Sequence, residues 1–352
     1  MIRVSKDVGG WARKGNIYAC EYARENVKNA AYVVADLSPD DMDPKKVLIE
    51  AFFNTEAKGS STTSIVTLIG NTIWAANLGG QNQTTTLHST YNLELSQATM
   101  DLMMIADSFY IPKHNLSKPR GEDAHFFSHD SQVIGVSDGV GGWAKRGIDA
   151  GEYARELMRN AADAVEDLSP GDVDPKEVLI QAFLNTEAKG SATACIITLA
   201  GDNILRAANL GDSGFCVIRA GKTFYKSPVQ QYRFNYPYQM GRSCGASPEE
   251  AEEIAVAVES GDVIIVGTDG LFDNVFPEDI EAAVELCLEE EKSPEIMAWT
   301  LARAALEKSL ETTTASPFEM AAYEAGVEHF GGKYDDITVV VAFVVPHCLY
   351  SK

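Results

Sequence analysis

Carboxylates at the ends of apolar runs are the residues of this chain that could do chemistry. VIGVSDG stops at Asp138, VIIVGTDG stops at Asp269, and YDDITVVVAF starts from Asp335 and Asp336. GEDAHFF places Glu122 and Asp123 ahead of another such run, and ANLGDSG ends one at Asp212. A strand end is a rigid mount, so side chains there can converge on one cleft. Converging carboxylates repel one another unless cations neutralise them. Every donor here is a hard oxygen, with no His or Cys in the set, which points to Mg²⁺ or Mn²⁺ rather than zinc. The glycines that follow Asp138 and Asp269 are expected to let the backbone turn sharply and to leave a carbonyl free as a further ligand. A single Asp-Gly is ordinarily a solvent-facing turn, but a set of them at strand ends is not.

The elements that must position these residues are legible in the hydrophobic pattern. Val133–Val136 reads as a strand. GEYARELMRNAADAVEDL carries apolar residues at helical spacing, and DPKEVLIQAFLNTEAKG predicts a second helix with Pro175 in its first turn. SATACIITLA, NILRAANLG and GFCVIRAGKTFYK predict short strands joined by tight turns, as in antiparallel hairpins. SPEEAEEIAVAVES reads as a capped helix or short turn and GDVIIVGTDG as a strand; PEDIEAAVELCLEE and SPEIMAWTLARAALEKSLE read as amphipathic helices, and DDITVVVAFVV as a final buried strand. Helix pairs between blocks of meandering strands predict an α+β layered fold around a β-sandwich, not a parallel βαβ sheet.

The chain also repeats itself. Residues 4–80 align with 136–212 at most positions, through GGWA, EYARE, NTEAKGS and AANLG. The first copy stops at Gly79-Gly80, whereas the second runs on through all the later strands and helices. Residues 1–80 are therefore read as a degenerate partial copy, the polar Thr/Gln/Asn-rich stretch 81–99 as a linker, and 100–346 as the complete domain. With 352 residues, 45% hydrophobic, the chain can bury a large core, and its formal charge of −22 disfavours nucleic acid and anionic membrane surfaces as partners. Six cysteines without CxxC spacing read as free thiols, and no apolar run is long enough to span a bilayer. The N-terminus shows neither a signal nor a transit peptide, which sets the cytosol or nucleus as the default expectation. A monomer is expected.

GEDAHF, VSDGVGGW, GSATACIITL, AANLGDSG, GTDGLFDN and GKYDDITVVVA stand in the order seen in metal-dependent Ser/Thr protein phosphatases of the type 2C (PPM) family. SFYIPKHNLSKPRGEDAHF and SPVQQYRFNYPYQMG resemble its plant and organellar branch, whose members often reside in plastids or mitochondria. The resemblance covers roughly 100–346. It implies two packed antiparallel sheets flanked by antiparallel helix pairs, two Mg²⁺ or Mn²⁺ ions per subunit, phosphoprotein substrates, and hydrolysis by a metal-activated water without a covalent intermediate. Position by position it implies that Asp138 bridges the two metals and that Glu122 and the Gly139 carbonyl complete one site. Asp269 and Asp335 belong to the other, with Asp123 behind them. Asp212 and Asp273, with Asp269, match a weaker third metal site of some members. The catalytic pair is Asp138 and Glu122, and either Lys118 or Arg120 is placed to pair with substrate phosphate.

This chain departs from the family pattern in four places. Lys118 stands where members often carry a phosphate-gripping Arg, with Arg120 two residues away, and this stretch reads equally as a solvated basic loop. Val140 stands where many members carry a histidine thought to protonate the leaving group; His125 is the nearest replacement by motif, but it reads more simply as a buried, satisfied histidine. Asp336 stands where Asn is usual, a change that leaves metal binding intact. In the first copy, Lys6 replaces the bridging acid, Asp7 the following glycine and Gly80 replaces Asp212, so that copy cannot be a second active site: an ammonium offers no lone pair to a metal. Such a half domain is expected to pack loosely, pair with the main domain or remain partly unfolded. The Val140 substitution and the damaged copy keep open an alternative, a catalytically silent relative that binds phosphoproteins or a kinase.

Overall fold

The computed structural model describes residues 2–7, 62–69, 72–79, 83–87, 102–115, 118–166, 168–242 and 244–347. The chain divides into two compact units, Met1–Ala98 and Thr99–Lys352.

In the first unit β1 (Ile2–Asp7), β2 (Thr62–Ile69), β3 (Thr72–Gly79) and β4 (Gln83–Leu87) form an antiparallel sheet in that order. Strand β4 falls inside the stretch expected to be a linker and pairs with β3 from Gly79↔Gln83 onward. Residues 8–61, with Trp11, and residue 80 lie outside the described residues.

The second unit is a four-layer sandwich. Its first sheet runs β12 (Glu252–Ala257), β9 (Ile204–Leu210), β8 (Ala194–Leu199), β7 (Val133–Asp138), β6 (Asp123–Ser128). The second runs β11 (Lys222–Lys226), β10 (Gly214–Arg219), β13 (Val263–Gly267), β14 (Ile337–Pro346), β5 (Leu102–Ile111). All neighbours in both sheets are antiparallel.

The layers explain why the central strands are apolar throughout. Ile134, Val136, Cys195, Ile197, Leu205, Phe215, Val217, Ile264, Val266, Val340 and Ala342 meet between the sheets. The alternate residues of the first sheet, Val133, Ile196 and Leu210, pack against Tyr153, Leu157 and Leu179 of α1 (Ala150–Val165) and α2 (Pro175–Asn185). Those of the second, Ile218, Ile265, Val339 and Val341, meet α3 (Asp269–Phe272), α4 (Pro277–Glu289) and α5 (Pro294–Ser309) through Leu271, Val284 and Leu301. A strand covered on both faces has no solvent side, so all of β8 and all of β13 are buried. Each such aliphatic side chain contributes about 1.5–3 kcal/mol on burial.

The helices begin where the sequence marks them. Asp149 caps α1 by accepting from Gly151 N at 3.0 Å, and Asp174 caps α2 by accepting from Lys176 N at 2.9 Å, with Pro175 at the first position. Ser293-Pro294 opens α5, and Ser316-Pro317 opens α6 (Pro317–Glu324) in the same manner. No helix among the described residues is long and apolar enough to cross a membrane.

One expectation holds only in part: the capped short turn is present, but the residues after it form a strand. SPEEAEEIAVAVES is no helix beyond the short turn Pro248–Glu250; Glu252–Ala257 is the edge strand β12. Burial alternates there, with Ile254 and Val256 inside and Glu253, Ala255 and Ala257 outside, a period of two that the preceding Ser-Pro-Glu-Glu start signal obscured. Strand β5 and helix α6 were not anticipated.

Candidate metal centre

The β6–β7 ladder builds the first part of the site. Asp123 lies directly opposite Asp138, the last residue of β7. Past it, Gly139 N donates to the Glu122 carbonyl at 3.1 Å. A Cβ on Gly139 would lie 2.6 Å from the Ala150 carbonyl oxygen and 2.7 Å from that of Glu122. The glycine is thus required by close backbone approach, and its φ is not in the left-handed region. Gly270 behaves likewise. Asp269 opens the one-turn helix α3 behind β13, and a Cβ on Gly270 would overlap the Asp336 carbonyl, so only glycine lets α3 lie against the entry to β14.

Three acids from three elements converge. Asp138, Asp212 in the turn between β9 and β10, and Asp269 each offer a carboxylate oxygen within 4.8 Å of the others. Asp212 Oδ1 is buried with no hydrogen-bond partner. Asp123 is buried beside them: its Oδ2 accepts from the Thr268 and Thr338 hydroxyls, both at 2.8 Å, while its Oδ1 has no partner. Burial, and then the charges of Asp269, Asp123, Asp335 and Asp212, push the Asp138 carboxyl well above the usual carboxylate range. Burial and Asp269 do the same to Asp212. Burial also drives Asp273 up, to about 6, against the opposing pull of Lys333. Carboxyls pressed together this hard need positive charge to stay ionised. An all-oxygen donor set with a buried, unpartnered lone pair fits a hard dication of the Mg²⁺ or Mn²⁺ type.

Lys333 is the residue that the sequence reading missed. Its Nζ contacts Asp269 Oδ2, lies 2.9 Å from Asp273 Oδ2 and 3.6 Å from Asp335 Oδ2. Burial alone would lower its pKa, but Asp269, Asp273, Asp335 and Asp212 hold it well above the ordinary value. The signal was present: GGKYDD puts a lone cation two residues before Asp335, and residues at that spacing in extended chain share a side.

Glu122 stands apart from the carboxylate trio. Its Oε1 accepts from Lys118 Nζ at 2.6 Å, and its backbone N donates to Asp336 Oδ2 at 3.1 Å. Asp336 is a brace: its Oδ1 also accepts from Tyr110 OH at 3.0 Å and Lys113 N at 2.8 Å. The two basic residues considered for phosphate part company. Lys118 is 13% exposed against Glu122, whereas Arg120 is 64% exposed, reaches Glu152 only at 3.5 Å, and lines a groove with Asp123, His125, Arg155 and Arg159. His125 Nε2 sits 2.9 Å from Ser108 Oγ, and burial lowers its pKa. Val140 donates its N–H to the Ser191 carbonyl at 2.9 Å, and Trp143 Nε1 donates to Ser191 Oγ at 2.6 Å, which makes that tryptophan loop packing.

No family model matches the chain. Individual relatives do. Probable protein phosphatase 2C 55 of Arabidopsis thaliana is 46% identical over 248 residues, covering 70% of this chain and 53% of that protein. Probable protein phosphatase 2C 80 of the same plant is 40% identical over 297 residues, covering 84% of this chain and 70% of that protein. The chain thus spans about half the length of the first and over two thirds of the second. Among solved structures, the X-ray structure of the photosystem II phosphatase PBCP superimposes with a TM-score of 0.62 at 32% identity, covering 68% of this chain and 98% of that one. With this identity over most of a relative's length, and the same fold, the chain belongs to the protein phosphatase 2C family.

Proposed function

We propose that this chain is a metal-dependent protein serine/threonine phosphatase that holds two Mg²⁺ or Mn²⁺ ions through Glu122, Asp138, the Gly139 carbonyl, Asp269 and Asp335. The convergence of Asp138, Asp212 and Asp269, with a buried and unpartnered oxygen on Asp212, carries the reading. When bound, the dications would supply Lewis acidity that makes water nucleophilic at neutral pH and offsets charge on the transferring phosphoryl oxygens.

The chain's own residues do the positioning. Asp123 and Asp336 fix the frame: the first is tied to β14 and the end of β13 through two threonine hydroxyls, the second holds Glu122 by its backbone. Asp138 and Asp269 are mounted on opposite sheets, so the sandwich sets their separation. Lys118 is the group we assign to the substrate phosphate, because it alone of the two basic candidates stands at the Glu122 side of the site; its ammonium would exchange part of its pairing with Glu122 for a phosphate oxygen. His125 is spoken for by Ser108 and is not given a proton-transfer role. The substrates follow as phosphoproteins bearing phosphoserine or phosphothreonine. No observation favours the silent, binding-only alternative.

Hydrolysis of p-nitrophenyl phosphate and of a phosphothreonine peptide tests the proposal. Turnover is expected with Mn²⁺, none with EDTA, and none with Asp138→Ala. A folded protein with no turnover at any Mn²⁺ concentration would refute it.

A further inference from the structure

Lys333 is placed more firmly than a lysine that merely neutralises surface acids. Its backbone is gripped from both sides by Asn274, itself 1% exposed: Lys333 N donates to Asn274 Oδ1 at 2.8 Å, and Asn274 Nδ2 donates to the Lys333 carbonyl at 2.9 Å. The same Asn274 Nδ2 donates to the Gly270 carbonyl at 2.9 Å, which ties the lysine to α3 and so to Asp269. Beyond the backbone, Nζ lies 5.2 Å from the centre of the Phe318 ring, and the side chain is 14% exposed. The ammonium has three N–H donors, and three carboxylates, those of Asp269, Asp273 and Asp335, stand around it.

Two of those acids, Asp269 and Asp273, belong to the set that family resemblance offers to a third metal ion. We infer that Lys333 is a built-in cation that occupies the third-ion position, so that this chain takes two dications and excludes a third. The inference rests on the reading of the carboxylate cluster as a dication site. The physical reason is charge and space together: the ammonium takes Asp269 Oδ2 and Asp273 Oδ2 and repels a like charge brought between them, while the second oxygen of Asp269 is left for the two-ion centre. Its clamped backbone and the Phe318 face resist its withdrawal. Lys333 acts here as a positioning residue, holding Asp269 and Asp273 for the two-ion centre rather than touching substrate.

The experiment counts ions on the full chain. Mn²⁺ titration by calorimetry, with equilibrium dialysis as a second count, is expected to give two ions per wild-type chain and three for Lys333→Met, the third lost again in Lys333→Met/Asp273→Asn. In parallel, reductive methylation read by mass spectrometry is expected to leave Lys333 unmodified with and without Mn²⁺, while exposed lysines such as Lys222 react. Three ions on the wild type, an unchanged count in a folded Lys333→Met, or methylation of Lys333 in the Mn²⁺-loaded wild type would each overturn the inference while leaving the dication site standing. The wild-type count and the methylation decide the matter even if the variant does not fold. Absence of Mn²⁺ binding by the wild type would remove both the inference and the reading beneath it.

Discussion

Asp123 and Asp138 stand opposite each other across the β6–β7 ladder, and the fold treats them differently. Asp138 joins the converging trio, whereas Asp123 spends one oxygen on Thr268 and Thr338 and leaves the other unpartnered in the interior. Such a residue orients a metal site from behind, and loss of that kind of support typically costs about 10–100-fold in metal affinity. Asp123→Asn is therefore expected to raise the Mn²⁺ concentration needed for half-maximal turnover by about that factor. Saturating Mn²⁺ should restore most of the rate; an unchanged Mn²⁺ requirement would show that Asp123 is only packing.

Lys118 and Arg120 give opposite expectations. Lys118→Met should raise KM for a phosphopeptide by about tenfold, a loss near 1.4 kcal/mol, in keeping with one charge-assisted contact. Arg120→Met, which removes an exposed side chain paired only with Glu152 at 3.5 Å, should leave KM within about twofold. Steady-state kinetics at saturating Mn²⁺ separates the two, and the reverse ranking would mean that the phosphate approaches from the Arg120 groove.

Gly270 is where the close packing of α3 against the entry to β14 is most exposed to challenge. The Cβ of Gly270→Ala would overlap the Asp336 carbonyl. Overpacking of this kind costs about 1–3 kcal/mol. Urea denaturation should show that loss, accompanied by weaker Mn²⁺ binding because Asp269 moves with α3. Gly142→Ala, with open space at its Cβ, is the neutral control.

His125 sets a pH dependence whose sign can be worked out. Burial lowers its pKa in the folded chain, while the unfolded chain titrates near the ordinary value of about 6.5. Between the two values the unfolded state binds more protons, so this group's contribution is fully present above about pH 6.5 and is lost as the pH falls through the folded value. The urea midpoint of EDTA-treated protein should fall less between pH 7.5 and 5.5 in His125→Gln than in the wild type. The buried aspartates titrate in both proteins, so the difference between the two slopes isolates the histidine.

Much of this site was legible because strand ends announce themselves: an apolar run stopping at Asp-Gly marks both the element and the carboxylate it carries, as at Asp138 and Asp269. The helices α1, α2, α4 and α5 were legible from their apolar spacing, with a proline in the first turn of the last three. What escaped depends on meetings between distant segments. No local signal tells that Asn274 grips Lys333 or that Asp336 braces Glu122, since these contacts span 59 and 214 residues. The close approach that requires the glycines was not legible, because backbone-to-backbone clearance is a property of packed elements. Strand β12 was hidden by a helix-start signal at Ser247, which tertiary pairing with β9 overrode. The first copy shows the same dependence on partners. Its β2–β3 hairpin keeps the register of β8–β9, Ser64↔Asn77 matching Cys195↔Asn209, but β1, which carries Lys6, pairs one residue out of step: Val4, the counterpart of Val136, faces Ile65 where Ser64 would match Cys195.

Anomalous diffraction from crystals of the full chain grown with MnCl₂ tests the central claim most directly. Manganese peaks are expected within coordinating distance of Asp138, Asp269 and Asp335, on the side toward Glu122 and the Gly139 carbonyl. Density showing those carboxylates turned apart, with no peak between them in a protein that still hydrolyses phosphate esters, would contradict it.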